Sequence, residues 1–353
     1  MRQLRRPRPE LVDEQMTLQK IAVEEHFGFP EIIDDSQTQL PQAGWPKLRQ
    51  ALLDVHGRLL EEMDACGVQT AILSLASPGI QAIPEKRRAT EIARRANDYL
   101  ADIVAKTPDR FQALAALPMQ DPEAASQELV RCVKELGFKG LCLNGFSQVD
   151  RDDSAVYCDL PQYWPFWANV ESLGVPFYLH PRIAPARTDL DGHPWFRGAA
   201  WSFGVETATH ALRLMASGLF DTYPKLTAIL GHLGETLPNT IWRIEHRLSV
   251  MPRGIPAQRP LGEYLRNNFY FATSGNFSTK TLLNAILEVG AGRILFAADY
   301  PFEKISEAAD WLDNLDAISE TDRLKIARTN AENLFRLRLP ASAAPARLRA
   351  EAH

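Results

Sequence analysis

Four strand-like segments end in groups that could do chemistry. Ile21-Ala22-Val23 leads into Glu24-Glu25-His26, Phe177-Tyr178-Leu179 into His180, Ile229-Leu230-Gly231 into His232, and Phe296-Ala297-Ala298 into Asp299. Neutral imidazole nitrogens and carboxylate oxygens suit Zn²⁺ or Mn²⁺, and a catalytic site for such an ion leaves positions open for water or substrate. Glu24 and His26 are two residues apart, so in extended backbone their side chains share a face. Glu25 then points the other way, towards covering helices or a loop. Any one of these residues alone reads equally well as a strand-end group making one hydrogen bond. Their recurrence at four ends is what points to a shared cation. A second cluster holds His232, Gly234 and Glu235, followed by Arg243, Glu245 and His246 on a helical pattern. Glu235 is near enough in sequence to hydrogen-bond His232 and bias its protonation. Arg243 and Glu245 fit a solvated helix face as readily as a substrate contact.

Such ends can meet only if the fold gathers them. Apolar, β-branched runs at 20–23, 68–75, 111–117, 140–143, 176–179, 226–230, 269–273 and 293–297 lack strict polar alternation, as strands buried on both faces do. Helical patterns lie between them at 48–66, 91–106, 121–136, 163–173, 205–220, 237–250, 279–289 and 321–334, with Asp121 as an N-cap and Gly137 as a stop. Strand–helix alternation demands right-handed crossovers and a parallel sheet. The chain is therefore expected to be α/β, a single (β/α)8 TIM barrel with loop insertions at the C-terminal face; an open doubly wound sheet is the alternative. In a barrel all the strand ends named above open on one face. No GxGxxG or GxxxxGK[ST] motif follows a strand. Insertions at 29–46 and 181–201, the second containing Asp191-Gly192-His193-Pro194-Trp195, read as lids over that face.

The barrel is expected to span residues 16–338, with 1–15 a disordered extension, Met16 an alternative start, and 339–353 a disordered Ala/Pro/Arg-rich tail. The 353 residues are 45% hydrophobic and 24% charged with a net charge of −5, so no electrostatic footprint for nucleic acid exists. An anionic substrate must be met by local cations or a metal. Cys66, Cys132, Cys142 and Cys158 form no CxxC pair and read as reduced thiols of a cytoplasmic protein. No apolar run is long enough to span a membrane, and the N-terminus lacks the apolar core of a secretory signal.

Taken together, Glu24-Glu25-His26, His180, Gly231-His232-Leu233-Gly234-Glu235 and Asp299-Tyr300-Pro301-Phe302-Glu303 resemble the amidohydrolase superfamily, and within it the hydroxybenzoate decarboxylase branch. The likeness runs from about Ile21 to Leu337 and includes Asp109-Arg110-Phe111, Asp159-Leu160-Pro161-Gln162-Tyr163 and Thr273-Ser274-Gly275-Asn276-Phe277. Asn144-Gly145-Phe146-Ser147-Gln148 and the Asp191–Trp195 stretch are most similar to members acting on 2,6-dihydroxybenzoate, with 2,3-dihydroxybenzoate and salicylate as alternatives. Tyr300 stands where those relatives carry tryptophan, and Ala297-Ala298 where they carry Ser-Thr. The resemblance implies one Mn²⁺ or Zn²⁺ and no organic cofactor. Glu24, His180 and Asp299 would hold the ion, with His26 a further ligand or a substrate contact. It also implies that His232, Glu235, Arg243, Asn144 and Phe302 surround the substrate, with the arginine reaching in from a neighbouring subunit of a homo-oligomer, a dimer or tetramer. Binuclear members place a bridging lysine or acid after strand four; Asn144 there is a poor bridge, which fits one metal.

The implied reaction is non-oxidative, reversible decarboxylation of a hydroxybenzoate. Asp299 is the expected proton donor to the carboxyl-bearing carbon, with His232 and Glu235 setting its protonation. The rival readings are a metal-dependent hydrolase of an ester, lactone or amide, and a catalytically silent barrel.

Overall fold

The computed structural model describes residues 18–39, 44–183 and 190–337. The expected terminal extensions and Met16 lie outside the described residues, as do parts of both expected lids. β1 (Lys20–Phe27) leads through α1 (Trp45–Leu53) and α2 (Leu60–Ala65) to β2 (Val68–Leu75). α3 (Lys86–Lys106) precedes β3 (Phe111–Ala116), and α4 (Pro122–Lys134) precedes β4 (Gly140–Asn144). Then come α5 (Trp164–Leu173), β5 (Phe177–His180), α6 (Ser202–Ala216), α7 (Leu219–Thr222) and β6 (Ala228–Leu230). α8 (Leu237–Val250) and α9 (Leu261–Asn268) precede β7 (Phe269–Ala272), and α10 (Thr279–Val289) precedes β8 (Ile294–Leu295). α11 (Ile305–Asp313), α12 (Glu320–Leu324) and α13 (Asn330–Phe335) follow.

The eight strands pair in parallel in sequence order, β1 to β8. β8 is short, and the segment after it closes the barrel: Val23 N donates to Phe296 O, Asp299 N to Glu24 O and His26 N to Tyr300 O, at 3.1, 3.0 and 2.8 Å. The predicted TIM barrel is therefore the observed architecture. Alternate strand residues such as Ile21, Val23, Ile72, Leu114, Tyr178 and Ile229 pack together inside it, with Phe335 of α13 joining them. Their neighbours, among them Ala22, Leu73, Phe177 and Leu179, pack in the larger apolar layer shared with the helices.

β1 departs from simple alternation in a way that positions the site. Between Ala22↔Ala71 and Glu25↔Leu73 it advances by three residues while β2 advances by two, an irregularity of the bulge kind. Strict period two would put Ile21, Val23 and then Glu25 inside. The extra residue reverses the parity, so that Glu24 and His26 face inwards and Glu25 faces out.

Several boundaries differ from the sequence reading. β1 continues through His26 to Phe27 instead of stopping at Val23. The helix expected over 48–66 breaks at Asp54, whose side chain accepts from Gly57 N and Arg58 N and caps a wider turn over Val55–Leu59. A Cβ on Gly57 would sit 2.5 Å from Asp54 Oδ1, so a larger residue there would push the capping carboxylate aside. α3 begins five residues early because Glu85 caps it through Arg87 N and Arg88 N. The 205–220 helix divides at Gly218, where φ is +81°. The last predicted helix, 321–334, is α12 and α13 joined by a wider turn, and α9 and α11 had no counterpart in the reading. No helix among the described residues is long and apolar enough to cross a membrane.

Asp121 caps α4 as expected, accepting from Glu123 N at 3.0 Å and Ala124 N at 3.2 Å. Asp121→Ala should lower unfolding stability by about 1 kcal/mol, read from urea titration, because losing the cap leaves two helix-end donors without their acceptor.

Candidate metal centre and active site

Glu24, His26, His180 and Asp299 each offer one ligand atom, and these atoms all lie within 4.8 Å of one another. His26 Nε2 is 3.1 Å from Asp299 Oδ1, and His180 Nε2 is 3.4 Å from Glu24 Oε1. The two imidazoles meet edge-on, with ring centroids 4.7 Å apart. Glu24, His26 and His180 are buried, and Asp299 keeps a small exposed fraction towards the barrel mouth. Glu24 Oε1 and His180 Nδ1 are buried without a hydrogen-bond partner in the chain, a costly arrangement unless something else satisfies them. Two imidazoles and two carboxylates around such orphaned atoms fit a divalent cation.

The surrounding residues hold these donors in place. Ser74, opposite His26 on β2, lies 3.0 Å from His26 Nδ1 through its Oγ. Tyr178, two residues before His180 and so on the same face of β5, donates its hydroxyl to Glu24 Oε2. Burial works to raise the Glu24 pKa, but the imidazoles of His180, His232 and His26 outweigh it and keep Glu24 ionised well below the usual carboxylate range.

A turn after β6 presents the second cluster. His232, Leu233 and Glu235 all have positive φ, at +52°, +58° and +56°, with Gly234 at +80° between them. Any Cβ on Gly234 would lie 2.9 Å from the Phe271 ring, so only glycine lets the turn sit this close to β7. Ser274 Oγ accepts from His232 N at 3.1 Å, and Asn276 donates to His232 O at 3.3 Å. The imidazole thus stands between two carboxylates: Nδ1 is 2.8 Å from Glu235 Oε1 and Nε2 is 3.7 Å from Asp299 Oδ2. Burial disfavours the imidazolium, yet Glu235, Asp299 and Glu24 more than offset it and raise the His232 pKa well above its ordinary value.

His180, His232, Asp299, Phe203 and Phe302 line a pocket of about 280 Å³. An adjoining cavity of about 270 Å³ shares His232 and Asp299 and reaches Glu235, Trp201 and Asn276. The Phe302 ring lies 5.5 Å from that of His26. Ser36 and Leu48, in and beside the first expected lid, also line the pocket, and Ala199 does so from the second.

Two expected substrate contacts do not line these two cavities in this chain. Asn144 is buried with its amide donating to Leu75 O at 3.2 Å, and it is not part of the pocket wall. Asn144 stands level with His180 in the β4–β5 pairing, and its amide reaches across to the end of β2. Arg243 is exposed on α8 beside Trp242, itself 69% exposed, and does not enter this chain's pocket. Sequence reasoning missed Tyr178, Ser74 and Ser274. Tyr178 was recoverable from its two-residue spacing to His180; the serines depend on strand pairing.

Residues 54–337 match the family model described as amidohydrolase. The chain belongs to the amidohydrolase family. Among curated amidohydrolase relatives, the γ-resorcylate decarboxylase of Polaromonas sp. is 56% identical over 324 residues, covering 90% of this chain and 98% of its own. That of Rhizobium sp. is 56% identical over 323 residues, with the same coverage. A solved 2,6-dihydroxybenzoate decarboxylase complexed with 2,6-dihydroxybenzoate superimposes with a TM-score of 0.87 at 56% identity, covering 90% of this chain and 99% of that one. The Polaromonas dihydroxybenzoic acid decarboxylase, with bound manganese and the inhibitor 2-nitroresorcinol, gives 0.87 at 56% identity, covering 90% and 97%.

If Tyr178 anchors Glu24 for a cation, Tyr178→Phe should weaken Mn²⁺ binding by about 10–100-fold while the chain stays folded. Calorimetric titration of metal-stripped protein measures this; unchanged affinity would leave the tyrosine a packing residue.

Proposed function

We propose that this amidohydrolase catalyses the metal-dependent, reversible, non-oxidative decarboxylation of 2,6-dihydroxybenzoate (γ-resorcylate) to resorcinol and CO2, in the breakdown of aromatic acids. The observation that carries the reading is the Glu24/His26/His180/Asp299 group at the base of a ring-sized pocket. Its support from relatives is the complex of a 56% identical decarboxylase with that acid.

Glu24, His180 and Asp299, with His26 as a further ligand, would hold one divalent ion, manganese as in the Polaromonas relative or zinc. When bound, the ion supplies a positive anchor for the substrate carboxylate and one ortho oxygen. The chain's own residues do the rest. Phe203 and Phe302 give the ring apolar walls. Breaking the aryl–carboxyl bond directly would leave an aryl carbanion, so the carboxyl-bearing carbon must be protonated first. Asp299 donates that proton to the ring carbon. The electron pair of the carbon–carboxyl bond then returns to the ring as CO2 departs. One proton is consumed per turnover, and a carboxyl beside a cation does not readily keep one. His232 answers this need: it stands 3.7 Å from Asp299 Oδ2 with Glu235 on its far side, so it can pass a proton to Asp299 and be recharged.

Arg243 fits the same reading in a cytoplasmic homo-oligomer, a dimer or tetramer, in which it meets the substrate carboxylate in a neighbouring subunit. Its exposure beside Trp242 on α8 supports that placement. A fully active monomer in solution would instead leave Arg243 on a solvated helix face.

The decisive variant is Asp299→Asn at full Mn²⁺ loading. CO2 and resorcinol release should fall about 10²–10⁴-fold, and retention of more than about a tenth of turnover would remove Asp299 as the acid. Acid release from esters or amides without CO2 from 2,6-dihydroxybenzoate would favour a hydrolase.

A further inference from the structure

Glu25 offers nothing to the donor group, yet it is fully buried next to it. It pairs with Leu73 and faces the layer where apolar side chains pack. A carboxylate in that layer is costly unless hydrogen bonds compensate it. Its compensation is specific: Oε1 accepts from Ala298 N at 2.9 Å and Oε2 from Tyr300 N at 2.8 Å. These are the residues on either side of Asp299. Asp299 itself has φ of +80°, a backbone conformation that non-glycine residues hold only when their surroundings impose it. The Asp299 N–H is meanwhile tied to Glu24 O, so three successive donors, at 298, 299 and 300, are fixed by two adjacent residues of β1.

We propose that Glu25 is a positioning residue for Asp299, its carboxylate gripping the two flanking N–H groups so that the Asp299 side chain is aimed at both the cation and the ring carbon. The inference rests on the role given to Asp299 above. A carboxyl group suits the task because each of its oxygens can accept one of the two flanking N–H groups. Glutamine has nearly the same volume but must turn an N–H towards one of the two donors.

The test uses the full-length chain carrying Glu25→Gln, with Glu25→Asp beside it. Mn²⁺ affinity is measured by calorimetry on metal-stripped protein, and kcat and KM for 2,6-dihydroxybenzoate at saturating Mn²⁺. For Glu25→Gln, Mn²⁺ Kd should rise about tenfold or more, kcat per bound Mn²⁺ should fall about 10–100-fold, and KM should move less than about threefold. Glu25→Asp, which keeps both acceptors, should lose less of each. A residue that merely held the barrel would lower the folded fraction and leave kcat per bound Mn²⁺ unchanged. The proposal is overturned if Glu25→Gln keeps Mn²⁺ affinity and kcat within about twofold of the parent. It is equally overturned if that variant does not fold while Glu25→Asp folds with parental values. Asp299→Asn run in parallel separates the two claims. Its full activity would remove the acid, whereas lost Mn²⁺ affinity in Glu25→Gln would still report positioning.

Discussion

The one-residue excess in β1 between Ala22 and Glu25 decides what the mouth of the barrel can be. Below it, Ile21 and Val23 point into the barrel and join its apolar interior. Above it, Glu24 and His26 point inwards instead of Glu25. A side-chain period of two cannot itself put residues 21, 23, 24 and 26 on one face. Without the irregularity, the inward set would be the wrong acid, and His26 would face the helices. The strand thus serves two purposes along its length, packing at the bottom and ligation at the top.

Ligation has a cost that the surroundings offset. His232, Leu233, Glu235 and Asp299 all hold positive φ at the mouth, which is tolerated only where neighbours over-determine it. Ser274 and Asn276 bind the backbone of His232, and β1 binds the backbone around Asp299. The result is a line of side chains in contact, Glu235, His232, Asp299, His26 and Ser74, crossing from the turn after β6 to β2. Its middle members are also candidate ligands or proton carriers, so fixing one fixes its neighbours.

Much of this was legible from residues alone. Eight apolar runs separated by helical patterns gave the barrel, because strands buried on both faces and capped helices such as α4 leave local signals. The gathering of Glu24, His26, His180, His232 and Asp299 followed from placing each at a strand end. What stayed hidden is pairwise. The shift in β1 is a relation between residues 22–25 and 71–73, and nothing local to either strand announces it. The break at Asp54 hides inside a pattern whose apolar spacing continues past it. Asn144 was placed at the substrate by the family resemblance, whereas here its amide donates to Leu75 O at the end of β2, a partner that only strand packing reveals. Arg243 lies on a helix whose own chain leaves it exposed, so no reading of one chain could settle what it meets.

His26 and Asp299 are 273 residues apart, the first on β1 and the second in the segment after β8 that closes the ring. The donor set therefore exists only after the chain's two ends have been sewn together. An ion held by all four donors binds the closed ring more tightly than any partly assembled one, so its binding free energy favours closure. Nascent chains still lacking the closing segment would offer a metal only Glu24, His26 and His180, so the fourth donor would act as a latch that engages at the end of assembly.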